Sequence, residues 1–238
     1  MKESNMKLQD KVALITGGGR GIGKAIALAY AREGAKLALC ARTSSEVEET
    51  RREIQNLGRE CEAWTCDVSL EEPVKQLVAN VHGQFGAIDV LVNNAGVMTR
   101  PVPMTELDVK KWDYTIAVNL RGPFLAAQAV LPRMLKQKHG SIINVSSMIG
   151  RSGYANFTAY AASKWGLEGF TQTLAAEVRS SNIRVNSVDP GYIATKLTGY
   201  HGSKPESATA VFVYLASDEA KGVTGKMLSS SDWQSQVK

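Results

Sequence analysis

Tyr160 and Lys164 stand four residues apart in Tyr160-Ala161-Ala162-Ser163-Lys164. That spacing puts a phenol and an ammonium on one face of a helix. A nearby cation lowers a tyrosine pKa from ~10 toward neutrality, which makes the phenol a usable proton donor and acceptor. The same spacing recurs at Tyr192/Lys196 and Tyr200/Lys204, but both pairs follow Pro190-Gly191 in a glycine-broken stretch and are not expected to be helical. Ser147 precedes Tyr160 by thirteen residues and directly follows an apolar run. It is therefore expected at the edge of a sheet, where ligands bind.

A second centre of chemistry is Thr16-Gly17-Gly18-Gly19-Arg20-Gly21-Ile22-Gly23. Glycines let a backbone turn sharply and approach a pyrophosphate without Cβ interference. A helix N-terminus beyond the loop offers unpaired N–H groups and a partial positive charge to the same anion. The strict G-x-G-x-x-G spacing is absent; Gly17, Gly21 and Gly23 are the glycines that fit. No Lys-Ser/Thr pair closes the loop, so a phosphate-hydrolysing loop is not expected. Roughly 20 residues beyond such a loop, a carboxylate usually meets a free ribose 2′-hydroxyl. Here the second apolar run ends in Ala41-Arg42-Thr43-Ser44, and no acid stands between Glu33 and Glu46. Arg42 offers a planar, permanently charged fork suited to a 2′-phosphate, and Arg20 can add a second cation. The preferred cofactor is therefore NADP(H) over NAD(H).

The elements that must position these groups alternate almost throughout. Strand-like runs Val12–Ile15, Leu37–Cys40, Cys61–Cys66, Ile88–Val92, Ser141–Val145, Ile183–Val188 and Lys226–Ser229 are separated by helical patterns at Ile22–Arg32, Ser45–Leu57 and from Ser69 onward. Further helical patterns cover Glu106–Lys136, interrupted near Gly122-Pro123, then Thr158–Arg179 and Pro205–Ala216. Ser45-Glu46-Val47-Glu48 and Ser69-Leu70-Glu71-Glu72 are expected to act as capping boxes. Such alternation implies parallel strands with right-handed crossovers. The fold class is α/β: a Rossmann-type doubly wound, mostly parallel sheet of about seven strands with helices on both faces. One dinucleotide-binding and catalytic domain is expected over residues 1–238, frayed at 1–6.

Composition agrees with a globular protein: 44% of the 238 residues are hydrophobic and 21% charged. The net charge of +5 is not concentrated in a run, so neither nucleic acid nor membrane is an expected partner. No stretch of 18 apolar residues occurs, and Met1–Asp10 lacks the apolar run of a signal peptide. A cytoplasmic location is expected. Cys40, Cys61 and Cys66 are expected to be reduced core residues, and three scattered histidines suggest no metal site.

The chain resembles the short-chain dehydrogenase/reductase family over nearly its whole length, in the single-domain form similar to 3-oxoacyl-acyl-carrier-protein reductases. Thr16–Gly23 resembles the family's cofactor loop, Asn93-Asn94-Ala95-Gly96 its sheet-steadying motif, and Asp67-Val68 its adenine contact. Val118-Asn119-Leu120-Arg121-Gly122 is similar to the segment carrying the catalytic asparagine. Ser147, Tyr160 and Lys164 match the catalytic serine, tyrosine and lysine, with Ser146 the adjacent rival for the serine role. Pro190-Gly191 with Thr195 resembles the loop that closes over the nicotinamide.

The resemblance implies that Tyr160 gives its proton to a substrate carbonyl oxygen as hydride reaches the carbon, while Ser147 hydrogen-bonds that oxygen. Lys164 would lower the Tyr160 pKa and bind the nicotinamide ribose, and Asn119 would kink its helix and hold a water linking Lys164 to solvent. Cofactor contacts are implied at Gly17, Gly19, Arg20, Gly21 and Ile22; at Arg42 and Thr43; at Asp67 and Val68; at Asn94, Ala95 and Gly96; at Tyr160 and Lys164; and at Pro190, Gly191, Ile193 and Thr195. The implied activity is NADP(H)-dependent reduction of a ketone or 3-oxoacyl group to the secondary alcohol, in a homo-oligomer, a tetramer by resemblance. An acyl carrier partner would need a basic patch near the pocket, for which Lys136, Lys138, Arg179 and Arg184 are candidates. The alternative is an NADP(H)-binding redox sensor without turnover, which would not need the full Asn119–Ser147–Tyr160–Lys164 set. Lys196–Lys204 is a shortened substrate loop, the tail Met227–Trp233 lacks the family's double glycine, and Asp189 stands where small residues are commoner.

Overall fold

The computed structural model describes residues 6–237. Residues 1–5 of the expected frayed end lie outside that range, whereas Met6 is placed beside Arg59. Seven strands, β1 (Val12–Thr16), β2 (Lys36–Ala41), β3 (Cys61–Thr65), β4 (Val90–Asn93), β5 (Gly140–Val145), β6 (Ile183–Asp189) and β7 (Met227–Ser229), form one sheet in the order β3-β2-β1-β4-β5-β6-β7. Every pairing is parallel. The helices are α1 (Gly21–Arg32), α2 (Ser44–Asn56), α3 (Glu71–Phe85), α4 (Val109–Ile116), α5 (Gly122–Gln137), α6 (Thr158–Val178), α7 (Thr209–Ala216) and α8 (Trp233–Gln236).

Buried runs rather than alternating ones make these strands central, because helices cover both faces. Successive residues of β1 feed opposite layers: Ala13 and Ile15 join Tyr30, Leu37 and Phe212, whereas Val12 and Leu14 join Leu91, Met134, Ile142 and Val185. The strand order reverses at the β1/β4 boundary, and a crevice opens there at the carboxyl ends of the strands.

Four local expectations are corrected. Neither expected capping box forms: α2 is preceded by Thr43 and α3 by Leu70, and neither side chain caps. The Ser69 hydroxyl instead donates to Asp67 Oδ1 at 2.7 Å, fixing a carboxylate of the cleft. The break in the long helical stretch is a π-helical turn over Ala117–Arg121, centred on Asn119, and Pro123 is accommodated in the first turn of α5. The pattern at Pro205–Ala216 opens as a 3-10 turn, Pro205–Ala208, before α7. All three cysteines are free and buried. Among the described residues no helix is long and apolar enough to cross a membrane, and no group of three or more His, Cys, Asp or Glu side chains could hold a metal ion.

Candidate active site

The glycine loop joins β1 to α1 and lines one end of a cleft of about 530 Å³. Gly17 has φ +67°, a conformation that side chains rarely adopt. A Cβ on Gly23 would lie 2.2 Å from Gly17 O, so only glycine lets the helix approach the loop this closely. No side chain caps the start of α1, which leaves its first N–H groups available to an anion. Asn94 holds the loop from below: its Nδ2 donates to Thr16 O at 2.9 Å and to Gly17 O at 3.1 Å. Asn93, Asn144 and Thr171 continue inward as a buried relay, with Asn93 Nδ2 donating to Asn144 Oδ1 at 2.9 Å and Asn144 Nδ2 to Thr171 Oγ1 at 2.8 Å.

Every residue given a cofactor contact by resemblance lines this cleft: Gly17 and Gly19 to Ile22 of the loop, Arg42, Thr43, Asp67, Val68, Asn94 to Gly96, Pro190, Gly191, Ile193 and Thr195, with Ser147, Tyr160 and Lys164 at the far end. Glycines that a Cβ would fill, uncapped helix N–H groups and two arginines fit the pyrophosphate and ribose of a dinucleotide. When bound, that group supplies the hydride acceptor or donor.

Sequence reasoning missed two neighbours of the arginines. Arg42 donates to the Tyr114 hydroxyl and lies 5.5 Å above that ring. Arg20 pairs with Glu46 at 2.5 Å, so the first turn of α2 returns to the cleft the carboxylate that the end of β2 lacks. An acid four residues after Arg42, on a helix that must pack beside the loop, was the available signal.

At the catalytic end, burial pushes the Tyr160 phenol up to about 12; a hydrogen bond with Ser147 opposes the rise and Asp189 adds to it. The lowering expected from Lys164 does not set the direction: burial does. Lys164 Nζ lies 5.6 Å from the Tyr160 ring centroid and donates to Val145 O at 2.7 Å. Burial pushes the Lys164 ammonium itself down to about 8, with Glu168 opposing the fall. Ser146 and Ser147 both line the cleft, and Ser147 is the one of the two that bears on the phenol's pKa.

Asn119 does not line the cleft. Its Oδ1 accepts from Val97 N at 2.8 Å, while its Nδ2 donates to Val97 O at 2.8 Å and to Ser163 Oγ at 3.1 Å. The side chain thus fastens the π turn to the segment after β4 and to α6. Replacing it with alanine removes three hydrogen bonds and leaves both main-chain groups of Val97 unmatched. Asn119→Ala is expected to cost about 2–4 kcal/mol in urea unfolding; an unchanged midpoint would contradict this fastening role.

The shortened loop is closed by its own backbone. Ile193 bridges Ser203, Tyr200 N donates to Thr195 O at 2.7 Å, and Thr195 N donates to Thr198 Oγ1 at 3.0 Å. In the tail, Ser230 Oγ donates to Pro190 O at 2.8 Å and steadies the loop's start. The candidate basic patch is corrected. Lys136, Lys138 and Arg179 end α5 and α6, which run opposite to the strands, so they stand at the amino edge of the sheet, away from the cleft. Arg184 is spent on Leu215 O at 2.6 Å and Ser217 O at 3.1 Å.

Residues 11–206 match the family model for short chain dehydrogenase. The chain belongs to that family. The short-chain dehydrogenases similar to it include a 3-oxoacyl-[acyl-carrier-protein] reductase FabG of Thermotoga maritima, 40% identical over 94% of this chain and 97% of the relative. The crystal structure of a short-chain type dehydrogenase/reductase from Mycobacterium marinum superposes with a TM-score of 0.90 at 33% identity, covering 94% of this chain and 95% of that one. That of an NAD+-bound xylitol dehydrogenase gives 0.89 at 29% identity, over 94% and 98%. As a short-chain dehydrogenase the chain is an oxidoreductase that binds a nicotinamide cofactor. The cleft described above has the place and the chemistry for it.

Proposed function

We propose that this short-chain dehydrogenase is an NADP(H)-dependent reductase that converts a 3-oxoacyl thioester, or a similar ketone, to the secondary alcohol. The observation carrying this reading is the convergence of Ser147, Tyr160 and Lys164 on one wall of a cleft whose other end is the glycine loop. Tyr160 delivers the proton to the carbonyl oxygen, and Ser147 holds that oxygen and stabilises the charge developing on it. Lys164 supplies a buried positive charge beside the phenol and hydrogen bonds to a ribose. Asn119 positions α6 through Ser163. The Thermotoga relative, named as a 3-oxoacyl-[acyl-carrier-protein] reductase, supports the thioester class.

An acyl carrier would approach at the carboxyl edge of the sheet, where Arg100, Arg151 and Lys196 are exposed after β4, β5 and β6. Exposed Phe124 and Trp165, on neighbouring α5 and α6, support a homo-oligomer, a tetramer by resemblance. Cofactor oxidation is followed by absorbance with NADPH and NADH, against a 3-oxoacyl thioester, a 3-oxo ester, a cyclic ketone and a sugar ketone. Turnover of the thioester with NADPH is expected. Tight NADPH binding without turnover of any carbonyl would overturn the reductase reading.

A further inference from the structure

The buried face of α6 carries a second ionisable group that the proton transfer does not touch. Tyr160, Lys164 and Glu168 follow one another at four-residue intervals, and Lys164 and Glu168 are only 5% and 6% exposed. Glu168 Oε2 accepts from Ser187 Oγ on β6 at 2.8 Å, and its Oε1 has no partner. Ser146 Oγ, on the wall of the cleft, is likewise buried without a partner. Gly150 packs the turn after β5 closely on this stretch of α6: a Cβ there would lie 3.1 Å from the main-chain Lys164 O, 3.2 Å from Ser146 Oγ and 3.3 Å from Glu168 Cγ. Burying a carboxylate costs several kcal/mol unless a charge or hydrogen bonds offset it. One serine is thin compensation.

We propose that Glu168 is a positioning residue for Lys164, a buried carboxylate one helical turn behind the ammonium that keeps it charged in a site closed to most water. This rests on the reading of Lys164 as the cation beside the proton donor. No ion pair within 4 Å is formed by either group among the described residues, so the attraction acts through space, where burial weakens its screening. Burial alone drives the Lys164 ammonium toward its neutral form, and Glu168 opposes that.

Other charges near α6 are engaged or exposed. Asp189 on β6 acts on Tyr160, and Arg184 on the same strand is turned to Leu215 O and Ser217 O. Arg121 of the π turn donates to Ser69 O, and Arg151 beyond the turn after β5 donates to Met227 O. Lys110, Lys111 and Asp113 on α4, Arg133 and Lys136 on α5, and Arg179 after α6 are exposed to water.

The test is an NMR titration of the full chain labelled with ε-13C-lysine, without nucleotide, the Lys164 signal being assigned by its loss in Lys164→Met. The wild-type midpoint is expected near 8. Glu168→Gln keeps an acceptor for Ser187 and removes only the charge; its midpoint is expected to fall by about one pH unit. Glu168→Asp keeps the charge and is expected to stay within about half a unit of the wild type. In carbonyl reduction, Glu168→Gln should be about threefold slower than wild type at pH 7.5 and equal to it near pH 6, the ratio that a one-unit shift from 8 produces. An unmoved midpoint in Glu168→Gln, an equal shift in Glu168→Asp, or a slowing independent of pH would each overturn the proposal. Should the midpoint move while the wild type reduces no carbonyl compound, the electrostatic coupling stands and the reductase reading falls.

Discussion

Tyr160→Phe is expected to lower kcat for carbonyl reduction by about 10²–10⁴-fold, the range for losing a positioned general acid. The ring remains in its buried slot on α6, so the unfolding midpoint and NADPH binding should stay close to those of the wild type. The direction of the phenol's pKa adds a sign. With burial holding it at about 12, Tyr160 is protonated across the neutral range and ready to donate. Reduction should therefore depend little on this group between pH 6 and 9. Alcohol oxidation, which needs the phenolate, should rise with pH as the small deprotonated fraction grows about tenfold per unit. Stopped-flow rates in both directions would check this. Tyr160→Phe retaining a tenth or more of wild-type turnover would remove the tyrosine from the proposed chemistry.

The asymmetry between what the chain revealed as sequence and what only the fold reveals is physical. About seven strands and their parallel direction were legible because alternation with helices restricts the connections that pack; their order in the sheet comes from the fold alone. The cofactor loop was legible because φ +67° at Gly17 and the close approach at Gly23 leave few other residues possible. Side-chain direction was not. The four-residue spacing of Tyr160 and Lys164 gave their common face but not that Lys164 would turn to Val145 O, nor that burial would set the direction of the phenol's pKa. The helix break was legible near Gly122-Pro123 and its link to Asn119 only through the resemblance, while the three partners of Asn119 lie 22 and 44 residues away in sequence. Caps failed for a related reason: the Ser69 hydroxyl donates to Asp67, two residues back, instead of accepting from the first N–H groups of the helix it precedes.

Arg42→Asp is expected to reverse the cofactor preference, reducing the NADPH-to-NADH ratio of kcat/KM by about 10²–10³-fold. That is the effect of losing charge-assisted contacts to a 2′-phosphate and placing a like charge beside it. The end of β2 lacks the carboxylate that would meet a free 2′-hydroxyl, but Glu46 complicates the preference for NADP(H). Its carboxylate lines the same cleft and pairs with Arg20 at 2.5 Å, so one of the two candidate cations is already half neutralised. Arg42 carries no such acid; it leans on the uncharged Tyr114, which holds the guanidinium without cancelling its charge. The phosphate selectivity should accordingly belong to Arg42, with Arg20 secondary. Glu46→Ala, by freeing Arg20, should raise NADPH preference rather than lower it. Steady-state kinetics with both cofactors on the three proteins would separate these effects. If wild type used NADH at least as well as NADPH and Arg42→Asp changed nothing, then Glu46 would be the residue meeting the ribose, and the dinucleotide would be NAD(H).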